Sequence, residues 1–185
     1  MVNNELQNIR FKIKTDFEDM CNKVQGLGGI LKGNSTQLEE YYDNEKKELT
    51  QKGYEICLTQ QDPLDGDTRR GITIYMLRCI KSGQPQVTIL TNPQITDILF
   101  VLGFFPITVL QRYMKTYRFE GPTEVKVTKL PHYGTFMSIK SKNIEALNLA
   151  AKKLNLNVKN NFKKTDRQLA EEYCEKYDKD ILSWE

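Results

Sequence analysis

The chain has 185 residues, 28% charged and 39% hydrophobic, the make-up of a globular protein long enough to bury one sizeable core. Its net charge of +3 tolerates an anionic partner without pointing to one. The longest apolar run, ILFVLGFF at 98–105, falls far short of the roughly 20 residues of a membrane helix. MVNNELQN lacks the apolar stretch of a secretory signal, so the expectation is an intracellular protein, cytoplasmic or nuclear, with no membrane partner. Cys21, Cys57, Cys79 and Cys174 are scattered with no CxxC pair, and His132 is the only histidine. That argues against a zinc site and for reduced, mostly buried thiols.

The first element is a strand. In IRFKIK (9–14), Ile9, Phe11 and Ile13 alternate with Arg10, Lys12 and Lys14, so three cations share one strand face. Thr15 and Glu18 form a T-x-x-E capping box for a helix whose apolar positions are Phe17, Met20, Cys21, Val24 and Leu27, and Gly28-Gly29 supplies its stop. QLEEYYDNEKKEL (37–49) reads as a short strand entering a polar loop, with Glu39, Glu40 and Asp43 on a solvated edge. GYEICLTQQ (53–61) alternates again, Tyr54, Ile56 and Leu58 on one face and Glu55, Cys57 and Thr59 on the other. DPLDGDTRRG (62–71) is a loop, followed by strands ITIYMLRCI (72–80) and QVTILT (86–91) about a Ser-Gly turn.

A second helix is expected over 93–102, capped by Asn92, with Pro93 in its first position, Gly103 at its end and Ile95, Ile98, Leu99 and Leu102 as its apolar face. Strands follow at 108–119, 123–130 and 134–141, and His132 falls in a turn. A helix at 144–155 would bury Ile144, Leu147, Ala151 and Leu154. Another begins at the capping box Thr165…Gln168 and carries Leu169, Tyr173 and Tyr177. Segments 13–29 and 89–105 echo one another as strand, capped helix and Leu-Gly, which suggests an ancient duplication. About eight strands and few helices make the chain α+β. The alternation suits either a barrel with a wet interior or an open sheet with one solvated face.

GLGGILKG (26–33) fits neither GxGxxG nor a Walker loop and follows a helix, so it reads as a helix end. The basic stretch at 159–167 has only Phe162 to stack on, a poor platform for single-stranded nucleic acid.

The order of these stretches resembles the CYTH family, or triphosphate tunnel metalloenzymes, which includes class IV adenylyl cyclases and thiamine and inorganic triphosphatases. TDFEDMCNKVQGLGG resembles the family's first helix, and QLEEYYD its Q-x-D-x-Y-F-D strand. LGFFPITVLQRYMKTY resembles L-G-F…V-x-K-x-R-x-x-Y, and EVKVTKLPHYGTFMSIK resembles V-T-L-D-x-V-x-G-L-G-x-F-V-E-I-E. The resemblance spans roughly residues 7–175. It implies one domain over 1–175 with a C-terminal tail at 176–185, built as an eight-stranded antiparallel β-barrel (a tunnel) with helices packed outside.

In that family glutamates of the first and last strands hold Mg²⁺ or Mn²⁺, and lysines and arginines grip a triphosphate. Here the E-x-E-x-K signature falls on Arg10, Lys12 and Lys14. The arginines of A-L-R-I-R fall on Cys57 and Thr59. The lysine and arginine of V-x-K-x-R fall on Arg112 and Met114, the aspartate of T-L-D on Thr128, and the closing E-I-E on Ser138, Ile139 and Lys140. Glu55 and Glu124 are the only acids expected on inward faces.

With the outward positions still apolar, the reading is a kept scaffold with a rewritten site: no catalytic residue, no metal, no cofactor. The function expected is a non-catalytic interaction or scaffold module with a protein partner, its contact patch in LGFFPI (102–107) or the segment ending in Trp184. One alternative is a metal-independent binder of polyphosphate, nucleotide or RNA phosphates through Arg10, Lys12, Lys14, Arg112, Lys126 and Lys140. A second is a divergent triphosphatase or adenylyl cyclase.

Overall fold

A computed structural model describes residues 7–64, 73–81 and 84–184 of the chain. Among them are nine strands and five α-helices. The strands are β1 (Gln7–Ile13), β2 (Ile30–Asp43), β3 (Tyr54–Pro63), β4 (Ile74–Lys81), β5 (Gln84–Thr91), β6 (Phe105–Arg118), β7 (Glu124–Leu130), β8 (Gly134–Ser141) and β9 (Ile181–Leu182). The helices are α1 (Phe17–Gly26), α2 (Glu48–Gln51), α3 (Ile95–Val101), α4 (Ile144–Lys153) and α5 (Asp166–Tyr177).

The hydrogen-bonded order is β1-β8-β7-β6-β2-β3-β4-β5, with β9 beside β6. The fold is α+β on an antiparallel ladder, as expected. No helix among the described residues is long and apolar enough to cross a membrane. Most of the loop expected at 62–71, the Ser82-Gly83 turn and the first six residues lie outside the described residues.

The chain forms two compact units. One comprises Met1–Ser35, Pro63–Arg70 and Arg112–Lys164; the other comprises Thr36–Asp62, Gly71–Gln111 and Thr165–Glu185. In the first, Phe11 of β1, Val125 and Val127 of β7 and Met137 and Ile139 of β8 pack under Phe17, Met20, Cys21 and Val24 of α1 and Leu147, Ala150, Ala151 and Leu154 of α4. The N-cap of α1 is Asp16, one residue beyond the expected Thr15; its carboxylate accepts from the Glu18 amide at 3.0 Å. Leu27 lies outside this core, because α1 ends at Gly26. Ile144, expected to be buried, is exposed: it opens the first turn of α4, directly after the Asn143 cap that accepts from Glu145 and Ala146.

The largest difference from the sequence reading is β2. It starts at Ile30 and runs fourteen residues, through a Gly-Asn-Ser stretch that propensity assigns to a loop. Ladder pairing on both sides outweighs that preference. Asp43, expected at a solvated edge, is buried at its end. It accepts from the amides of Asn44, Leu49 and Thr50 and from the Thr50 hydroxyl, at 2.7–3.0 Å, and so ties the loop before α2.

In the second unit Tyr42, Leu58 and Leu99 pack with Ile56, Leu77, Ile95 and Phe104. Helix α3 has only seven residues, and Ile95 and Leu99 alone reach the strands; Ile98 and Leu102, expected on the same face, are exposed. Both echoing segments turn from helix into strand through a glycine with left-handed backbone, Gly28 at φ +94° and Gly103 at φ +80°. Segment 176–185 holds the end of α5 and β9, whose Leu182 pairs with Leu110 and is buried.

Leu147→Ala should cost about 2–5 kcal/mol, read as a lower urea midpoint at unchanged slope. Asp43 gives a pH test. Burial works to raise its pKa, but the hydrogen bonds from Thr50, Leu49 and Asn44 outweigh burial and hold it below the usual value. Its contribution is therefore present at neutral pH and lost as pH falls through the folded value. The stability gap between wild type and Asp43→Asn should be full at pH 7 and close below pH ~3.9.

Candidate functional site

Strand period two and the observed register together decide which side chains share a face in the first unit. Three rows run straight across β1, β8, β7 and β6. The first is Asn8, Lys140, Glu124 and Arg118; the second is Arg10, Ser138, Lys126 and Thr116; the third is Lys12, Phe136, Thr128 and Met114. Neighbours within a row sit on strands about 4.8 Å apart. Five cations and one carboxylate, Glu124, thus share the face opposite the apolar core. Four of the six expected anion-binding residues fall in this array. Arg112 lies on the same face of β6 by alternation, and Lys14 lies one residue past the end of β1.

Arg10 is held by its own chain. Its guanidinium carbon stands 4.4 Å from the centroid of Phe136 and 5.6 Å from that of Phe162, and its Nη1 donates to the Lys164 carbonyl at 3.0 Å. The Arg10 amide donates to Asn161 Oδ1, and the Phe162 amide donates to the Arg10 carbonyl at 2.7 Å. The basic stretch read as a poor stacking platform therefore serves to cover the edge of β1 and to clamp Arg10 between two rings.

In the second unit the matching face is built from Glu39 and Tyr41 of β2, Cys57 and Thr59 of β3, and Arg78 of β4, which pairs in register with Cys57. Glu39, expected at a solvated edge, is only 2% exposed. Arg78 Nη2 donates to Glu39 Oε1 at 2.7 Å, to Thr59 Oγ1 at 2.7 Å and to Cys57 Sγ at 3.3 Å, while the Tyr41 hydroxyl donates to Glu39 Oε2 at 2.9 Å. Burial pushes the Cys57 thiol up to about 11, with the Glu39 carboxylate adding to the effect, so it stays protonated at neutral pH.

Glu55 lies on the same face of β3 as Cys57 and Thr59, so with Glu39 that face carries an acid beyond the two expected, and Glu55 too is met by a cation. Arg167 of α5 reaches it at 2.9 Å, holds Glu171 through Nε at 2.7 Å and lies 5.1 Å from the Tyr41 ring centroid.

Arg78 and Arg167 were missed from the sequence because no motif names them. The signal that was present is the alternation Gln37-x-Glu39-x-Tyr41: a strand burying one of these side chains turns all three to the same side.

No family model matches the chain, and no curated protein matches it. Solved structures do. A candidate adenylate cyclase from Vibrio parahaemolyticus matches at 14% identity and a TM-score of 0.69, over 89% of this chain and 96% of that one. The PH1819 protein from Pyrococcus horikoshii matches at 11% and 0.73, over 92% and 98%. A Hippeastrum protein described as having a dominant triphosphatase activity matches at 9% and 0.63, over 91% and 95%.

Removing the cation opposite Glu39 tests the buried network. Arg78→Met should cost about 3–5 kcal/mol by stranding a buried carboxylate, and the double variant Glu39→Leu/Arg78→Met should recover much of that loss in urea unfolding. Cys57 should resist alkylation at pH 8 in the folded protein and react on unfolding. With strand order, register and solved neighbours in agreement, the chain has the antiparallel α+β fold of the CYTH, or triphosphate tunnel, proteins.

Proposed function

We propose that this chain is a non-catalytic protein of the triphosphate tunnel fold that acts by binding, as an interaction or scaffold module. The observation that carries the reading is the three-row array of the first unit, where five cations stand against the single carboxylate of Glu124. The positions that resemble the family's metal-holding glutamates carry Arg10, Lys12, Ser138 and Lys140.

A hard divalent cation takes about six oxygen ligands and prefers carboxylates among them. The donor set of this array does not fit one. In the second unit the acids on the matching face are already engaged, Glu39 by Arg78 and Tyr41, and Glu55 by Arg167. With no metal to neutralise developing charge, phosphoryl transfer loses its main source of stabilisation.

The test is phosphate release from tripolyphosphate and from ATP, with Mg²⁺ and with Mn²⁺, and with cyclic nucleotide measured alongside. The expected result is no turnover above buffer. Turnover abolished by Lys126→Ala would sink the proposal and place this chain with the activity described for the Hippeastrum protein.

The register favours one further reading, in which the basic face binds a phosphate-bearing anion without metal. Calorimetric titration of tripolyphosphate in EDTA should then give heat that weakens with salt and disappears in Lys12→Glu/Lys140→Glu. No heat from a demonstrably folded protein would remove that reading and leave the protein partner.

A further inference from the structure

Residues 84–111 contain a single charged side chain, Asp97, in a chain that is 28% charged overall. Burial accounts for part of this: Leu99 and Leu110 are in the interior. It does not account for Val87, Ile89, Ile98, Phe100, Val101 and Leu102, which are 46–83% exposed. These six lie on β5 and α3, which follow one another in the chain, while Leu90, 78% exposed, turns to the other side of β5 opposite Met76. Val87 and Ile89 stand opposite Cys79 and Leu77 in the β4–β5 register, and Leu77 packs with Ile95 and Leu99 of α3. The open side chains of β5 and α3 therefore lie on one side of the strands. Strand β5 also ends the hydrogen-bonded order, and among the described residues it pairs with β4 alone.

We propose that this surface docks a second copy of the chain, the two β5 strands pairing antiparallel about a two-fold axis normal to the sheet. That operation keeps faces matched, so both α3 helices come to lie on the same side of the joined sheet. There Val87 and Ile89 of each copy meet, and Val101 and Leu102 close over them.

Charge selects this occupant. A two-fold interface sets each patch against its own copy, so any strong patch charge would face like charge; this one carries only Asp97. Partners recognised by charge find nothing here to grip. The edge chemistry agrees. Exposed edge strands are commonly protected by lysine, proline or a bulge; β5 has no charged residue, and its proline and its register shift both fall at its start, before Val87, which leaves Val87–Thr91 open to pairing.

Area agrees as well. The open surface of the six residues sums to roughly 600–700 Å², at the top of the ~300–600 Å² range of a typical monomer's largest apolar patch. With the backbone edge of β5 added it approaches the ~800 Å² that each partner gives to a stable interface. This inference does not depend on what the basic face binds, since a catalyst, an anion binder or a scaffold could each dimerise this way.

The test is sedimentation equilibrium of the full chain from about 1 to 100 μM, with hydrogen exchange at both ends of that range. The expected result is a monomer–dimer equilibrium, with the Val87–Leu90 amides slower to exchange at high concentration. Val101→Glu/Leu102→Glu, at positions open to water in the single chain, should weaken association at least ~100-fold while leaving the melting temperature unchanged at about 1 μM, where the wild type is mostly monomeric. A chain monomeric throughout would overturn the proposal and give the surface to a different partner. Growth beyond dimers, or a dimer that neither protects β5 nor responds to the double variant, would overturn it too.

Discussion

Apart from the register shift between β4 and β5, the described strands send successive side chains to opposite faces, and that two-residue period is the constraint from which the rest of the structure follows. In the first unit it commits Phe11, Val125, Val127, Met137 and Ile139 to the helices α1 and α4. It thereby commits Arg10, Lys12, Lys126 and Lys140 to the other side, whatever they do there. A slip of one residue in β1 or β8 would bury lysines under α1 and expose the core. The apolar set thus fixes the register, and the register fixes the site. The second unit obeys the same rule: packing Tyr42, Ile56 and Leu58 against α3 obliges Glu39, Glu55 and Cys57 to share the opposite face.

The two faces handle charge in different ways. Glu39 is shut away from water, and a carboxylate there must find donors or lose its charge. Arg78, Thr59 and Tyr41 supply them, and Arg78 in turn spreads its donors over Glu39, Thr59 and Cys57. Such a pair adds little net stability, because desolvation offsets most of its attraction, but breaking it is costly. Its effect is to hold β2, β3 and β4 in one register. Lys12 stays exposed and needs no such partner. Arg10 lies between these cases: half-buried, it satisfies its guanidinium with two aromatic rings and one carbonyl.

What the sequence made legible follows from the same physics. Alternation is a local signal, so β1, β3, β7 and β8 and their faces could be read directly, as could the Thr165 capping box and the turn at His132. The first seven residues of β2 could not, because Gly33, Asn34 and Ser35 carry no periodic signal and are ordered by neighbours distant in sequence. The same holds for Arg78 and Arg167. Each matters through a partner 39 or 112 positions away, Glu39 or Glu55, and nothing beside them in the chain announces it. Helix α3 failed in the opposite sense. Its spacing promised a buried face, but seven residues give too short a helix to bury four apolar side chains on the strands available. An apolar stripe records what a surface is suited to meet. It does not record whether the meeting takes place within the chain.

The division of labour between faces also separates the residues that hold the fold from the charges on the other side of the sheet. Replacing a carboxylate by a lysine on the inner face changes none of the contacts among Phe11, Met137, Leu147 and Leu154 that hold the first unit together. The cost falls on electrostatics alone, and solvent or an anion can meet it: two cations ~4 Å apart repel by about 4 kcal/mol at an effective dielectric of 20. At Arg10 the chain meets that cost itself, laying Phe162 and the Lys164 carbonyl against the guanidinium. A cation kept for gripping substrate gains from staying open to it, whereas this one is bound into the edge of the sheet.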